Sequence, residues 1–122
     1  MDKPMILTAM LFMHVIADYT LQGVLASMKE KAYWKGHGNY RSKYDFIPAL
    51  LAHAFSWAFC IMLPLAVAEY PPGTVFYVVL AANTAVHAVV DHAKANLGVL
   101  NLVEDQTIHM VQIVLTLLVL AL

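Results

Sequence analysis

Charge is scarce in this chain. Asp, Glu, Lys and Arg make up 12% of its 122 residues, about half of the roughly 25% usual in a soluble domain. A small globule has proportionally more surface to cover than a large one, so the shortage excludes an ordinary soluble enzyme and a disordered tail. Positive charge is not in excess: the net charge is −1, which removes the basic field of a nucleic-acid-binding domain. Cysteine occurs once, at Cys60, which excludes an intramolecular disulfide framework and a CxxC metal site. Glycine-rich phosphate loops, a GxSxG elbow and an HExxH helix are absent. What fills the chain is apolar, with 61% hydrophobic residues and a mean hydropathy of +0.70. This is the composition of an integral membrane protein.

Four apolar stretches cover nearly the whole length, at about residues 4–27, 46–68, 74–97 and 106–122. At about 1.5 Å per residue the first three reach about 33–36 Å, enough to cross a bilayer. The fourth reaches about 25 Å and is a marginal span. None alternates with period two, so helices are expected rather than a barrel. The expected fold is all-α: one domain, 1–122, of four transmembrane helices. The first stretch carries His14, Asp18 and Gln22, which the core of a cleaved signal peptide would not hold, and it is read as retained.

The connections differ in character. Residues 69–73, Glu-Tyr-Pro-Pro-Gly, read as a tight turn. Residues 29–45 form a long basic loop with Lys29, Lys31, Lys35, Arg41 and Lys43, interleaved with Tyr33, Trp34, Tyr40 and Tyr44. An excess of Lys and Arg marks the cytoplasmic side, so loop 29–45 is placed in the cytoplasm and both termini outside. Cations with interfacial aromatics read first as an anchor on anionic headgroups, and second as a lid over a substrate. His37, between Gly36 and Gly38, reads as a solvated loop residue.

The spanning segments are not uniformly apolar. His14, Asp18 and Gln22 are spaced by four, as are Asn83, His87 and Asp91, with Lys94 one turn on. Asp105 and His109 repeat the spacing, and the second segment contributes His53. Residues at i and i+4 share a helical face, so each set is a stripe. In the expected topology the Asp of each His/Asp pair lies nearer the cytoplasm and the His one turn deeper, and His53 falls at a similar depth. An intramembrane Asp costs roughly 2.5–3.5 kcal/mol on insertion, so it needs a partner or a task. Imidazole and carboxylate on facing helices suit a divalent metal. His14, Asp18, His53, His87, Asp91 and His109 are therefore the candidate metal ligands. Zinc is expected first, iron or manganese next, with Gln22, Asn83 and Gln106 orienting the ligands. Asp18 or Asp91 is a candidate general base when not ligating, and Lys94, with Lys29 or Lys31, a candidate for holding an anionic head group. The opposing reading is interhelical hydrogen bonding alone.

The ordered set His14-x3-Asp18-x3-Gln22, His53, His87-x3-Asp91-x2-Lys94 and Asp105-Gln106-x2-His109 resembles a family of small bacterial and phage membrane proteins of unknown function. The resemblance covers essentially the full chain. It implies a four-helix membrane domain in the bacterial inner (cytoplasmic) membrane, and supplies no activity. A looser similarity is to membrane-bound metal-dependent hydrolases, which also place His and Asp within spanning helices.

Three functions follow as expectations. A metal-dependent hydrolase would cleave an amphiphilic or lipid substrate. A structural or accessory membrane subunit would use the cluster as glue. A small transporter or proton path would use the His/Asp ladder as successive sites. The small core, the short fourth segment and the small residues Ala81, Ala82, Ala85 and Ala88 point to a homo-oligomer or another membrane protein as partner.

Overall fold

A computed structural model describes residues 1–37, 40–68 and 72–121, and every element among them is helical. Helix α1, Lys3–Val15, opens on Asp2, whose side chain accepts from the Met5 amide at 2.9 Å, with Pro4 in the first turn where no amide is missed. It continues as a π-helical turn, Ile16–Thr20, closed by the Leu21 amide on the Ile16 carbonyl at 2.8 Å. The first stretch is thus not one helix over 4–27. Gly23 takes φ +52°, a left-handed conformation that an L side chain resists, and the chain breaks there before α2, Leu25–Met28. Nothing lies within 4 Å of a Cβ added at Gly23, so the backbone alone demands glycine. Gly23→Ala is expected to lower stability by about 1–2 kcal/mol, read as a fall in the melting midpoint in detergent.

The expected basic loop is also structured. It holds α3, Lys31–His37, and a 3₁₀ turn, Tyr40–Tyr44. Asn96 fastens this segment down: its Oδ1 accepts from the Lys31 amide at 2.7 Å and its Nδ2 donates to the Lys29 carbonyl at 3.0 Å. His37 ends α3, exposed and stacked on Tyr33 at 4.3 Å. Gly38 and residues 69–71 of the expected turn lie outside the described residues.

Three long helices follow: α4, Phe46–Val67, α5, Thr74–Ala95, and α6, Leu102–Ala121. Among the described residues, the segments Ser42–Val67, Thr74–Ala95 and Leu102–Ala121 are the three helices long and apolar enough to cross a membrane. The last begins four residues before the expected 106 because of a capping box. Asn101 Oδ1 accepts from the Glu104 amide and Glu104 Oε2 from the Asn101 amide, each at 2.9 Å. That extra turn lengthens the stretch that looked marginal.

The helices pack with α4 along α5 and across α1, and with α6 against α5 and α1. Their shared core has two chemically different ends. Ile6, Met10, Ile61, Met62, Leu65, Phe76 and Ile113 fill one end. His14, Asp18, His53, His87, Asp91, Asp105 and His109 fill the other, all buried. Outside, the surface is apolar, with Phe12, Phe55, Phe59, Val78, Val111 and Leu115 exposed. A polar interior behind an apolar coat is the arrangement a bilayer stabilises and water does not.

Candidate metal centre

The stripes converge at the polar end. Asp18 arrives from the π turn, His53 from α4, and His87 with Asp91 from α5. These four each bring one ligand atom into a group whose members lie within 4.8 Å of one another, all buried. His53 Nε2 and His87 Nε2 face each other at 3.2 Å. Asp91 Oδ2 is 3.2 Å from the first and 3.6 Å from the second, and Asp18 Oδ1 is 3.4 and 3.8 Å away. A tetrahedral ion with bonds of about 2.0–2.1 Å sets its ligands about 3.3–3.4 Å apart. The five distances between these two nitrogens and two oxygens, 3.2–3.8 Å, bracket that edge length. A second group, Asp18, Asp105 and His109, meets the same distance limit beside the first.

The rings are held in place from behind. His87 stacks on Trp57, at 4.1 Å and 17°, and on His109, at 4.1 Å and 28°, and those two rings are themselves 5.1 Å apart, so the three form a triangle. Its Nδ1 is buried without a hydrogen-bond partner, so stacking rather than a hydrogen bond sets this ring. Trp57 was not legible as a site residue, although it lies one turn from His53 on the same face of α4.

His14 does not join either group. Trp57 Nε1 donates to His14 Nδ1 at 2.8 Å, and His14 Nε2 donates to Gln106 Oε1 at 2.9 Å. Both ring nitrogens of His14 are engaged in hydrogen bonds, with Trp57 and Gln106. With its oxygen taken, the Gln106 amide nitrogen donates to Asp18 Oδ2 at 3.0 Å and to Asp105 Oδ2 at 2.9 Å. Gln106 thus contacts two carboxylates of the cluster, whereas Gln22 contacts none. Gln22 donates to the Asp18 carbonyl and accepts from Lys29 Nζ at 3.2 Å.

Two lysines compensate the carboxylates. Lys29 Nζ reaches Asp91 Oδ2 at 2.7 Å, and Lys94 Nζ reaches Asp105 Oδ2 at 3.1 Å. Three carboxylates against two ammonium groups leave the cluster net negative while the imidazoles are neutral. Lys29 sits in the segment that reads as open loop, and the packing of α2 against α4 brings it inward. Lys94 serves Asp105 rather than the four-atom group.

Beyond the cluster the polar core extends one step further than expected. Asn83 Nδ2 donates to Thr116 Oγ1 at 2.7 Å, and Gln112 Nε2 donates to Asn83 Oδ1 at 3.2 Å. Ile6, Met10, Ile61, Leu65 and Ile113 then close the bundle, each fully buried.

A groove of about 320 Å³ runs along the outside of α4 and α5, lined by Lys31, Phe46, Ile47, Leu50, Ala88, Val89 and His92. Leu50 and Ala88 separate it from His53 and His87. Lys31 Nζ lies over the Phe46 ring at 5.1 Å, at the mouth of the groove.

Neither the curated proteins nor the solved structures include a match to this chain. Residues 6–122 match the model of a family described as a protein of unknown function, DUF3307. That match takes in every buried His and Asp of the cluster, and the chain belongs to this family.

Proposed function

We propose that the chain is a membrane-embedded, metal-dependent hydrolase acting on an amphiphilic ester or phosphoester, with Asp18, His53, His87 and Asp91 as the ligands of a divalent ion. The observation that supports this most is the group of two imidazole nitrogens and two carboxylate oxygens at 3.2–3.8 Å. Two nitrogens and two oxygens at these distances suit zinc, with iron or manganese next. A bound divalent ion lowers the pKa of water towards 7 and polarises a carbonyl or phosphoryl oxygen. Asp18 is the ligand suited to leave and take a proton. It is on the irregular π turn, a feature frequent at functional sites, and stands 3.4 and 3.8 Å from the two histidine nitrogens, against 3.2 and 3.6 Å for Asp91. Asp91 is pinned by Lys29 and stays. The outer groove suits one apolar chain, and Lys31 suits an anionic head group there. With α1 and its π turn counted as a fourth crossing, the excess of Lys and Arg in segment 29–45 supports a cytoplasmic position for it in a bacterial inner membrane and both termini outside.

Chelator-stripped protein in phospholipid micelles should release no product until zinc, manganese or iron is restored. His87→Ala should stay inactive under every metal. Equal turnover with and without metal would contradict this reading.

A structural role as an accessory subunit is favoured by a different observation. The Lys29–Asp91 and Lys94–Asp105 pairs, at 2.7 and 3.1 Å, neutralise two carboxylates with no ion at all. The proton-path reading has no comparable support, because the fully apolar end of the core closes the ladder.

A further inference from the structure

The second group of side chains carries its own argument. His109 Nδ1 faces Gln112 Oε1 at 3.1 Å. Gln112 has no freedom to reverse its amide. Its nitrogen donates to both oxygens of Asn83, at 3.3 and 3.2 Å, and the Asn83 amide is itself committed to Thr116. Gln112 Oε1 is therefore an acceptor, and His109 Nδ1 carries the proton it receives. The lone pair of the neutral ring is then at Nε2. That atom is fully buried and has no hydrogen-bond partner. It is aimed at two carboxylate oxygens, Asp105 Oδ1 at 3.3 Å and Asp91 Oδ1 at 3.5 Å. Asp105 Oδ1 is likewise buried and without a partner. A nitrogen lone pair and two anionic oxygens crowded together in a dry core repel one another unless a proton or a metal cation lies between them.

Asp91 links this place to the four-atom group. Its Oδ2 faces His53 and His87, while its Oδ1 faces His109. One carboxylate thus offers one oxygen to each side. We propose that His109, Asp105 and Asp18 hold a second divalent cation beside Asp91 Oδ1, bridged to the first through the Asp18 carboxylate that both groups share. The proposal rests on the metal reading above and deepens it. Paired ions bridged by carboxylates lie about 3.5–4 Å apart and clamp the attacking and leaving oxygens of a displacement. Two dications more than balance the net negative charge of the cluster, so the paired site calls for an anionic ligand. This narrows the substrate class to a phosphoester.

The test is manganese loading of chelator-stripped, full-length protein in detergent, followed by ion counting and electron paramagnetic resonance. Wild type should take up two ions per chain and show an exchange-coupled signal. Asp105→Asn keeps the shape and an amide oxygen for the Gln106 and Lys94 contacts, losing only the charge that partly exposed Lys94 balances, so it should fold. It should bind its second ion at least about 100-fold more weakly, beyond the usual outer-shell range, and show the six-line signal of an isolated ion. His109→Ala should do the same where it folds. One ion per chain in wild type, or two uncoupled ions, would overturn the bridged pair while leaving the single-ion reading intact. No ion in wild type would overturn both.

Discussion

Replacing Asp91 by asparagine should remove metal binding and destabilise the bundle together. The carboxylate faces His53 and His87 through one oxygen and His109 through the other, and it receives the Lys29 ammonium at 2.7 Å. Asparagine keeps the volume but not the charge, so Lys29 is left without its anion. Removing one partner of a buried pair costs roughly 3–5 kcal/mol. The Lys29 side chain retains 13% exposure and can withdraw towards the surface, so a loss of about 2–3 kcal/mol is expected here. The melting midpoint in detergent, with and without chelator, reads both effects. Chelator should lower the midpoint of wild type and leave that of Asp91→Asn unchanged. An asparagine variant at least as stable as a chelator-indifferent wild type would instead favour interhelical glue, because the amide sheds the burial cost of the charge. His37→Ala, on the exposed end of α3, should change neither quantity.

The second large effect is expected at Trp57. Its ring stacks on His87 and its Nε1 donates to His14, so one side chain fixes a ligand and the residue that orients Gln106. Lipid competes for apolar surface, which makes the loss in Trp57→Ala one of packing contacts and a void rather than of water exclusion. A fully buried Trp→Ala change costs about 3–5 kcal/mol, and loss of ring orientation should weaken metal binding by about 10–100-fold. Trp57→Phe keeps an aromatic face against His87 and forfeits the donor, so about 1 kcal/mol is expected. Unfolding and metal titration of the two variants separate the roles. Equal metal affinity in wild type and Trp57→Ala would show that the stack does not position His87.

How much of this was legible in the sequence depended on the range of each interaction. His87 and Asp91, or Asp105 and His109, announce themselves because helical periodicity puts i and i+4 on one face whatever the tertiary structure. Scarcity helped too, since a carboxylate in an apolar run needs a reason. His14 shows the limit of that logic. Its spacing from Asp18 matches the other pairs, yet Trp57 and Gln106 occupy both its nitrogens, and neither contact leaves a mark on local spacing. Lys29 reads as a loop cation because nothing local reveals that Gly23 and the π turn redirect the chain. Gln112 and Thr116 lie on the face of His109, three and seven residues on, and could have been found by extending that stripe outward. The early start of α6 was also available, in the Asn101–Glu104 capping pair, and the apolar run hid it. Four spanning segments were expected; among the described residues three helices are long and apolar enough to cross a membrane. The first is divided by a backbone feature that hydropathy does not register.

The central claim is that the polar end of the bundle is a metal centre, and elemental analysis of wild-type protein purified without chelator at any step tests it most directly. Metal binding to a preformed buried site is expected to survive gentle purification. The account predicts at least about one zinc, iron or manganese ion per chain, falling to background in Asp91→Asn. Less than about 0.1 ion per chain in wild type would contradict it.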